Sequence, residues 1–528
     1  MTADLDVLII GAGFSGLCMA ARLKQAGINN FRIFEKGSDV GGTWYWNRYP
    51  GARCDSPSHV YSYSFAPNLE WTERYASQPE ILRYLQHVAD KYGLRKHIRF
   101  NTEVTSARWD EETGRWTVTC ERTETFTARF VITCTGSLSK PKLPDIPGLD
   151  SFKGEVFHTA RWPHDVDLTG KRVGVIGTGA TAIQIVPEIA KTAKQLTVFQ
   201  RTPSWVVPRN NRPTYSEEMK WLRRHLPEIF ELVRKTFAGF PYDRPPKSAL
   251  EVSPEERQAL FEELWEQGNH ELLFLAFLRN LRNSALNKLL AELARQHIRK
   301  RVSDPETAEK LTPDYPFGCK RPCLSNDYYE AFNRPNVELV DVRTDSIEEI
   351  TPNGIVTADG KEHEVDVIIF ATGFEATTGP LTRFDITGRN GVSLNEKWKD
   401  GPRTYLGLFV HGFPNMFFLM GPNTGLGNNS VVIMIEQQVE YIAQCIRHMQ
   451  ERGASSIEPT EEAEEEWVEQ VDERADTLWA GCNSWYMNAN GDDVPKNTTL
   501  SPGSTLEYRQ RTRRVAPEGY EGLELSRE

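Results

Sequence analysis

The sequence has no Cys-x-x-Cys pair, no apolar run approaching the length of a membrane span and no surplus of basic residues. Without a dithiol there is no motif for disulfide exchange. Cys319 and Cys323, separated by a segment containing Pro322, fit neither a redox pair nor a zinc knuckle. All 8 cysteines are therefore expected to be reduced and structural. Val7 to Ile10 is far too short for a signal peptide or a spanning helix, and no basic segment precedes it. The C-terminal stretch from Arg509 to Glu528 is polar and charged, so a cytoplasmic protein with no membrane anchor is expected. A formal net charge of -11 opposes a nucleic-acid-binding role, which would need a basic surface, and directs attention to small molecules.

What is present is an ordinary globular composition, 39% hydrophobic and 26% charged, spread over 528 residues. That length exceeds one hydrophobic core, so two or three domains are expected.

Asp6 to Leu23 reads as a buried strand, a tight turn and an amphipathic helix. In the turn, Gly11 allows the reversal, Gly13 lets the backbone approach a pyrophosphate, and Gly16 lets helix and strand pack closely; Ser15 lies in the first helical turn. A second strand, Phe31 to Glu35, ends in a carboxylate placed to hold a ribose hydroxyl. The acid repels a 2'-phosphate, so this site is expected to take FAD or NAD; a solvated strand-end acid is the alternative. The following loop, Gly41 to Asp55, is dense in glycine, proline and aromatics, including Trp44 and Trp46. Such a loop needs a partner surface, either a flavin ring or a neighbouring domain. Asp55, just after Arg53 and Cys54, is a candidate for orienting a cation.

Lys171 to Gln184 repeats the strand, turn and helix, with Gly177, Thr178, Gly179, Ala180, Thr181, Ala182 and Ile183 forming the phosphate grip. Ala182 replaces the third glycine, which a methyl group still permits. At the end of the next strand Arg201 and Thr202 stand where the first site has an acid. A guanidinium matches a 2'-phosphate, so NADPH is expected here; a plain surface cation is the alternative.

The expected fold class is α/β, with two Rossmann-like dinucleotide-binding domains. The FAD domain spans 1–145 and resumes over 372–528, and the NADP domain spans 146–371 with a helical insertion over 213–315. Phe130 to Gly136 and Val365 to Gly373 are read as buried strands at the crossings between them. Gly421 to Asn429 is a glycine-rich loop expected to lie along the flavin, and Glu461 to Glu473 is an acidic helix face expected to be solvated.

These residues together resemble the type I Baeyer-Villiger monooxygenases. Phe152 to Pro163 fits that family's F-x-G-x-x-x-H-x-x-x-W-P fingerprint through Phe152, Gly154, His158, Trp162 and Pro163. Gly42 to Asp55 fits its G-x-W-x-x-x-x-[FY]-P-[GM]-x-x-x-D element. The resemblance implies an FAD-containing, NADPH- and O2-dependent enzyme that turns ketones into esters or lactones through a C4a-peroxyflavin, with sulfides as further substrates. It implies a monomer or weak homo-oligomer whose partners are a ketone and O2. Arg321 matches the family's active-site arginine, Asp55 the acid that positions it, and Lys320 the neighbouring NADP contact. Trp485 matches a loop residue that covers NADP. Thr43, Trp44, Tyr45, Trp46, Arg53, Cys54, Tyr61 and Val104 fall in stretches that contact the cofactors, alongside Ser15 and Glu35. His158 belongs to the linker and is expected to transmit domain position.

Two rivals stay open from the sequence. An N- or S-oxidising flavin monooxygenase is opposed by Trp162 and Arg321, and a redox-sensing flavoprotein would give no oxygenated product. A disulfide reductase lacks its dithiol.

Overall fold

The computed structural model describes residues 4–121, 124–241, 251–268, 284–424, 429–474, 484–487, 499, 503–515 and 519–527. The chain begins with β1 (Asp4–Ile10), α1 (Phe14–Gln25), β2 (Phe31–Phe34), α2 (Thr43–Trp46) and α3 (Gln78–Lys91). It continues with β3 (Ile98–Arg99), β4 (Val104–Asp110), β5 (Arg115–Cys120) and β6 (Thr125–Thr133). β1 is parallel to both β2 and β6, with Ile9 opposite Ile33 and Ile132. Such central strands are buried on both faces, which is why they read as apolar runs and not as alternating patterns.

The second unit holds β7 (Glu155–His158), β8 (Arg172–Ile176), α4 (Ala180–Ile189), β9 (Gln195–Gln200) and β10 (Val206–Val207). The helices α5 (Ser216–Val233) and α6 (Pro254–Gln267) and those over Ser284–Arg301 and Pro305–Lys310 come next. β11 (Cys323–Leu324) and β12 (Val337–Asp341) follow, then the antiparallel strands β13 (Ile347–Ile350), β14 (Gly354–Thr357) and β15 (Glu362–Glu364), and β16 (Val367–Phe370). β12, β9, β8, β16 and β7 form a 5-stranded parallel sheet in that order. β17 (Asp385–Thr387) and β18 (Met416–Phe418) return to the first sheet, which has 8 strands, by pairing with β4 and β6. The long helix Val431–Arg452 packs an apolar face that includes Val439, Ile442 and Ile446 into the same core as Leu17 and Ala20 of α1.

Two strands expected at crossings do more than cross. The carbonyl of Cys134, just past β6, would lie 2.5 Å from a Cβ on Gly11, and that of Ala371, just past β16, would lie 2.5 Å from a Cβ on Gly177. Both glycines have positive φ, +107° and +112°. The two nucleotide turns are thus built alike, each with its first glycine pressed against the end of the adjacent strand, where a side chain is excluded twice over.

Two expectations need correcting. Cys18, Cys54, Cys120, Cys134, Cys323 and Cys445 are free thiols, but Cys319 is disulfide-bonded. Pairing depends on the distance between sulfurs in space, which sequence spacing does not report. The acidic helix Glu461–Arg474 is also not uniformly solvated: Glu464 points inward at 1% exposure, pairs with Lys397 at 2.9 Å and accepts the His411 backbone N–H at 2.8 Å. No helix among the described residues is long and apolar enough to cross a membrane.

Candidate active site

At the first turn, α1 starts at Gly13 with no side-chain cap, leaving its first amides for a ligand. Gly42 faces Gly13 so closely that a Cβ on Gly42 would sit 2.9 Å from the Gly13 Cα. This bare channel of backbone is a cradle that a methyl group would fill, and it fits the pyrophosphate of a dinucleotide. Glu35 is buried at the end of β2, its Oε2 accepting the Ala12 N–H and its Oε1 the Gly37 N–H, both at 2.7 Å. Burial raises its pKa, and these two backbone donors oppose the shift. Each oxygen keeps a lone pair for a ribose hydroxyl, so the carboxylate fits the expected role and is no solvated strand-end acid. Ser15 is buried in the first turn of α1, and Val104 is buried at the start of β4 opposite Cys120.

The loop after Gly42 has two faces. Trp44 is buried and donates its indole N–H to the Tyr61 hydroxyl at 3.2 Å, while Thr43 is exposed and Tyr45 shares a 2.7 Å hydrogen bond with Ser38. Trp46 lies under the Arg161 guanidinium of the linker. Arg48 meets His164 of the same linker, 3.1 Å from its Nδ1.

Further along, the loop grips α4. Gln184 accepts from the Tyr49 hydroxyl at 3.0 Å and from the Arg53 amide at 3.4 Å, and donates its own amide to the Arg53 carbonyl at 3.1 Å. Gly51, at φ +80°, lies so near that an added Cβ would come 2.6 Å from the Gln184 carbonyl. The Arg53 guanidinium is turned away to Glu73 at 2.8 Å.

The second turn presents the same uncapped helix start at Gly179, with open space around where its Cβ would be. Thr178 donates its hydroxyl to the Thr202 carbonyl at 2.7 Å, which fixes the end of β9 against the glycine turn. Gly179 and Ala180 are exposed, Thr181 is half-buried, and Ala182 and Ile183 pack inward. Arg201 is exposed at the strand end. Lys320 comes near it: burial lowers the Lys320 pKa, and the adjacent Arg201 charge lowers it further. Asp314 pulls the other way on Lys320, and the two cations together present donors that fit a 2'-phosphate.

Lys320 and Arg321 are delivered by β11, which pairs in parallel with β10, Val206 opposite Cys323 and Val207 opposite Leu324. Arg321 Nη2 donates to Asp55 Oδ2 at 2.5 Å. Arg209, which no sequence motif marks, donates from its Nη2 to Asp55 Oδ1 at 3.0 Å. Around this group Tyr61 is buried, and burial pushes the Cys54 and Cys323 thiols up to about 12, so both stay neutral. Tyr486 is buried near Arg321. Trp485 opens the short turn Trp485–Met487, but its side chain lies outside the described residues, as do positions 425–428 of the glycine-rich loop.

His158 ends β7 at 5% exposure, with Nδ1 accepting the Ala160 N–H at 3.0 Å. Burial pulls its pKa down to about 4, against a smaller opposite pull from the Gly373 backbone. A neutral ring tied to its own linker suits a joint better than a proton carrier.

Comparison with known proteins adds to this geometry. Residues 5–244 match the model of the flavin-binding monooxygenase-like family. The 2-oxo-Δ3-4,5,5-trimethylcyclopentenylacetyl-CoA monooxygenase of Pseudomonas putida is 47% identical over 99% of this chain and 98% of its own. A Baeyer-Villiger monooxygenase of Pseudooceanicola batsensis is 42% identical over 99% of this chain and 96% of its own. A crystal structure of OTEMO in complex with FAD and NADP superposes with a TM-score of 0.94 at 46% identity, covering 100% of both chains.

Proposed function

The chain belongs to the Baeyer-Villiger monooxygenases within the flavin-binding monooxygenase-like proteins, and from that premise we propose how its own residues divide the reaction among them. It is an NADPH-dependent flavin monooxygenase that converts ketones to esters or lactones. Bound FAD supplies the redox centre that takes electrons from NADPH and activates O2, so that one oxygen atom enters the bond beside the ketone carbonyl.

Gly11, Gly13, Gly16 and Ser15 hold the flavin dinucleotide at the start of α1, with Glu35 on its ribose. Thr43, Trp44, Tyr45, Trp46, Tyr61 and Val104 border the same ligand, with Asp55, Arg53 and Cys54 at the loop's far end. Gly177 to Ile183 hold the nicotinamide dinucleotide, and Arg201, Thr202 and Lys320 select its 2'-phosphate. Trp485 covers it. Arg321 places a permanent cation where negative charge grows on oxygen, and Asp55 aims that cation. His158 relays the position of the linker. Residues 1–145 and 372–528 form the flavin half and 146–371 the NADP half, a division that the strand membership of the two sheets supports. The enzyme works in the cytoplasm, as a monomer or weak homo-oligomer.

The observation that carries this reading is the Arg321–Asp55 pair, set where the flavin-side loop meets the β10–β11 ladder of the other unit. A panel of cyclic, aryl and long-chain ketones, with a sulfide and a tertiary amine run beside them, assayed for product and NADPH together, tests it. Ester or lactone formed in step with NADPH is the expected result. NADPH consumed with only hydrogen peroxide, or with sulfoxide and N-oxide but never ester, refutes it.

A further inference from the structure

Asp55 is held from two sides by guanidiniums that the fold delivers from distant parts of the chain. β10 and β11 run side by side, and Arg209 lies two residues past the end of one while Arg321 lies two residues before the start of the other. Arg209 takes Oδ1 and Arg321 takes Oδ2, so each carboxylate oxygen has its own cation. The two arginines differ in burial: the Arg209 side chain is 10% exposed and that of Arg321 34%. Arg209 is also fixed through its backbone, its N–H donating to Asn326 Oδ1 at 3.0 Å, an oxygen that takes the Asn210 N–H as well at 2.8 Å.

We propose that Arg209 is a positioning residue for oxygen insertion, holding Asp55 oriented and charge-paired while Arg321 turns from the carboxylate toward the reacting oxygen. The proposal rests on the role given above to Arg321. A buried carboxylate that loses its cation is strongly penalised, so an acid served by Arg321 alone would pin that arginine in place. With Arg209 on Oδ1, Asp55 keeps a counter-ion whichever way Arg321 points, and Arg321 is the more exposed of the two guanidiniums. The neighbouring Tyr49, Cys54 and Cys323 are each pushed up to about 12 by burial and bring no competing charge at neutral pH. Arg209 therefore acts on Arg321 through Asp55, and its effect depends on that carboxylate.

The test uses the FAD-loaded enzyme and the variants Arg209→Gln, Arg209→Lys, Asp55→Asn and the double variant Asp55→Asn/Arg209→Gln. Anaerobic flavin reduction by NADPH, the NADPH Michaelis constant and ester formed per NADPH are measured for each. Arg209→Gln is expected to keep flavin reduction and the NADPH constant within about 3-fold of wild type while ester per NADPH falls on the order of 10-fold, with hydrogen peroxide making up the difference. Arg209→Lys restores coupling to within about 3-fold, and in the Asp55→Asn background the Gln substitution adds less than about 2-fold. Wild-type coupling in Arg209→Gln overturns the proposal; so does a Lys variant no better than Gln, or an undiminished effect in the Asp55→Asn background. If Arg209→Gln fails to hold FAD, the pair Asp55→Asn and Asp55→Asn/Arg209→Gln decides alone, because no buried carboxylate is orphaned there. Failure of the underlying reading shows separately, as a wild-type enzyme that forms no ester from any ketone.

Discussion

The Arg161 guanidinium lies 4.3 Å from the centroid of the Trp46 indole ring. Arg161 belongs to the linker fingerprint and Trp46 to the flavin-side loop, so the two motifs that mark this chain touch in space. A contact of this kind is worth about 0.5–2 kcal/mol, enough to bias a joint without locking it. The other end of the loop is fastened by Gln184 to the nucleotide helix α4, so one segment reports on both the linker and the second cofactor site.

Substituting Gly51 disturbs that segment directly. Gly51→Ala puts a Cβ 2.6 Å from the Gln184 carbonyl at a φ of +80°. Left-handed strain of about 1–2 kcal/mol adds to an overpacking cost of about 1–3 kcal/mol. A lowered melting temperature together with a raised NADPH Michaelis constant is the expected result, and wild-type values for both would show that the loop does not grip α4 in solution.

Removing the Arg321 cation separates the two halves of the reaction. Arg321→Ala should still allow anaerobic reduction of the flavin by NADPH, while ester formation drops by about 10² to 10³. Stopped-flow reduction and product analysis on the same preparation check this. Near wild-type conversion of a good ketone would remove Arg321 from the chemistry.

The cofactor choice proposed for Arg201 and Lys320 is open to a direct test. Arg201→Ala should raise the NADPH Michaelis constant roughly 10- to 100-fold, the equivalent of losing a charged hydrogen bond of about 1.5–3 kcal/mol, and barely change that for NADH. Lys320→Ala should act in the same direction, with the double variant less than additive because both cations serve one phosphate. Burial and Arg201 lower the Lys320 pKa, so it loses its proton at lower pH than an ordinary lysine, and the NADPH constant should climb on the alkaline side first. Equal effects of Arg201→Ala on NADPH and NADH would rule out the phosphate assignment.

Acid stability should carry the mark of His158. Its pKa is about 4 in the fold, against about 6.5 in an unfolded chain, so between these values the unfolded state binds more protons. The contribution is complete above about pH 6.5 and is lost as pH falls toward 4. His158→Asn, which keeps an acceptor for the Ala160 N–H, should flatten the stability profile over that window by up to about one proton. Identical slopes in urea titrations of the two proteins would contradict a buried neutral ring.

Local chemistry made much of the site legible. The glycine turns, Glu35 and Arg201 sit at strand ends where a single motif specifies both the geometry and the ligand, so a reader of the sequence reaches them without tertiary information. The Arg321–Asp55 link was reached through the fingerprints. Arg209 was not, because nothing around Pro208 or Asn210 distinguishes it and its partner lies 154 residues earlier. Gln184 was hidden differently: a polar residue on an otherwise apolar helix reads as a surface position, and only the docked loop shows that it is a clasp. Glu464 and Cys319 depart from the sequence expectation for the same reason, since burial and pairing are decided by elements far away in the chain.

The ladder of β10 and β11 has a consequence for how this architecture can change over time. The chain leaves it at Val207, passes through α5, α6 and two further described helices, and returns at Cys323 beside its point of departure. Closing a longer excursion costs only about 0.6 kcal/mol for each doubling of length. The excursion can therefore change in length at little entropic cost, provided that Arg209 and Arg321 at its two ends keep their places beside the ladder. The ladder works as a graft point, with both arginines rooted at the base of whatever is carried on it.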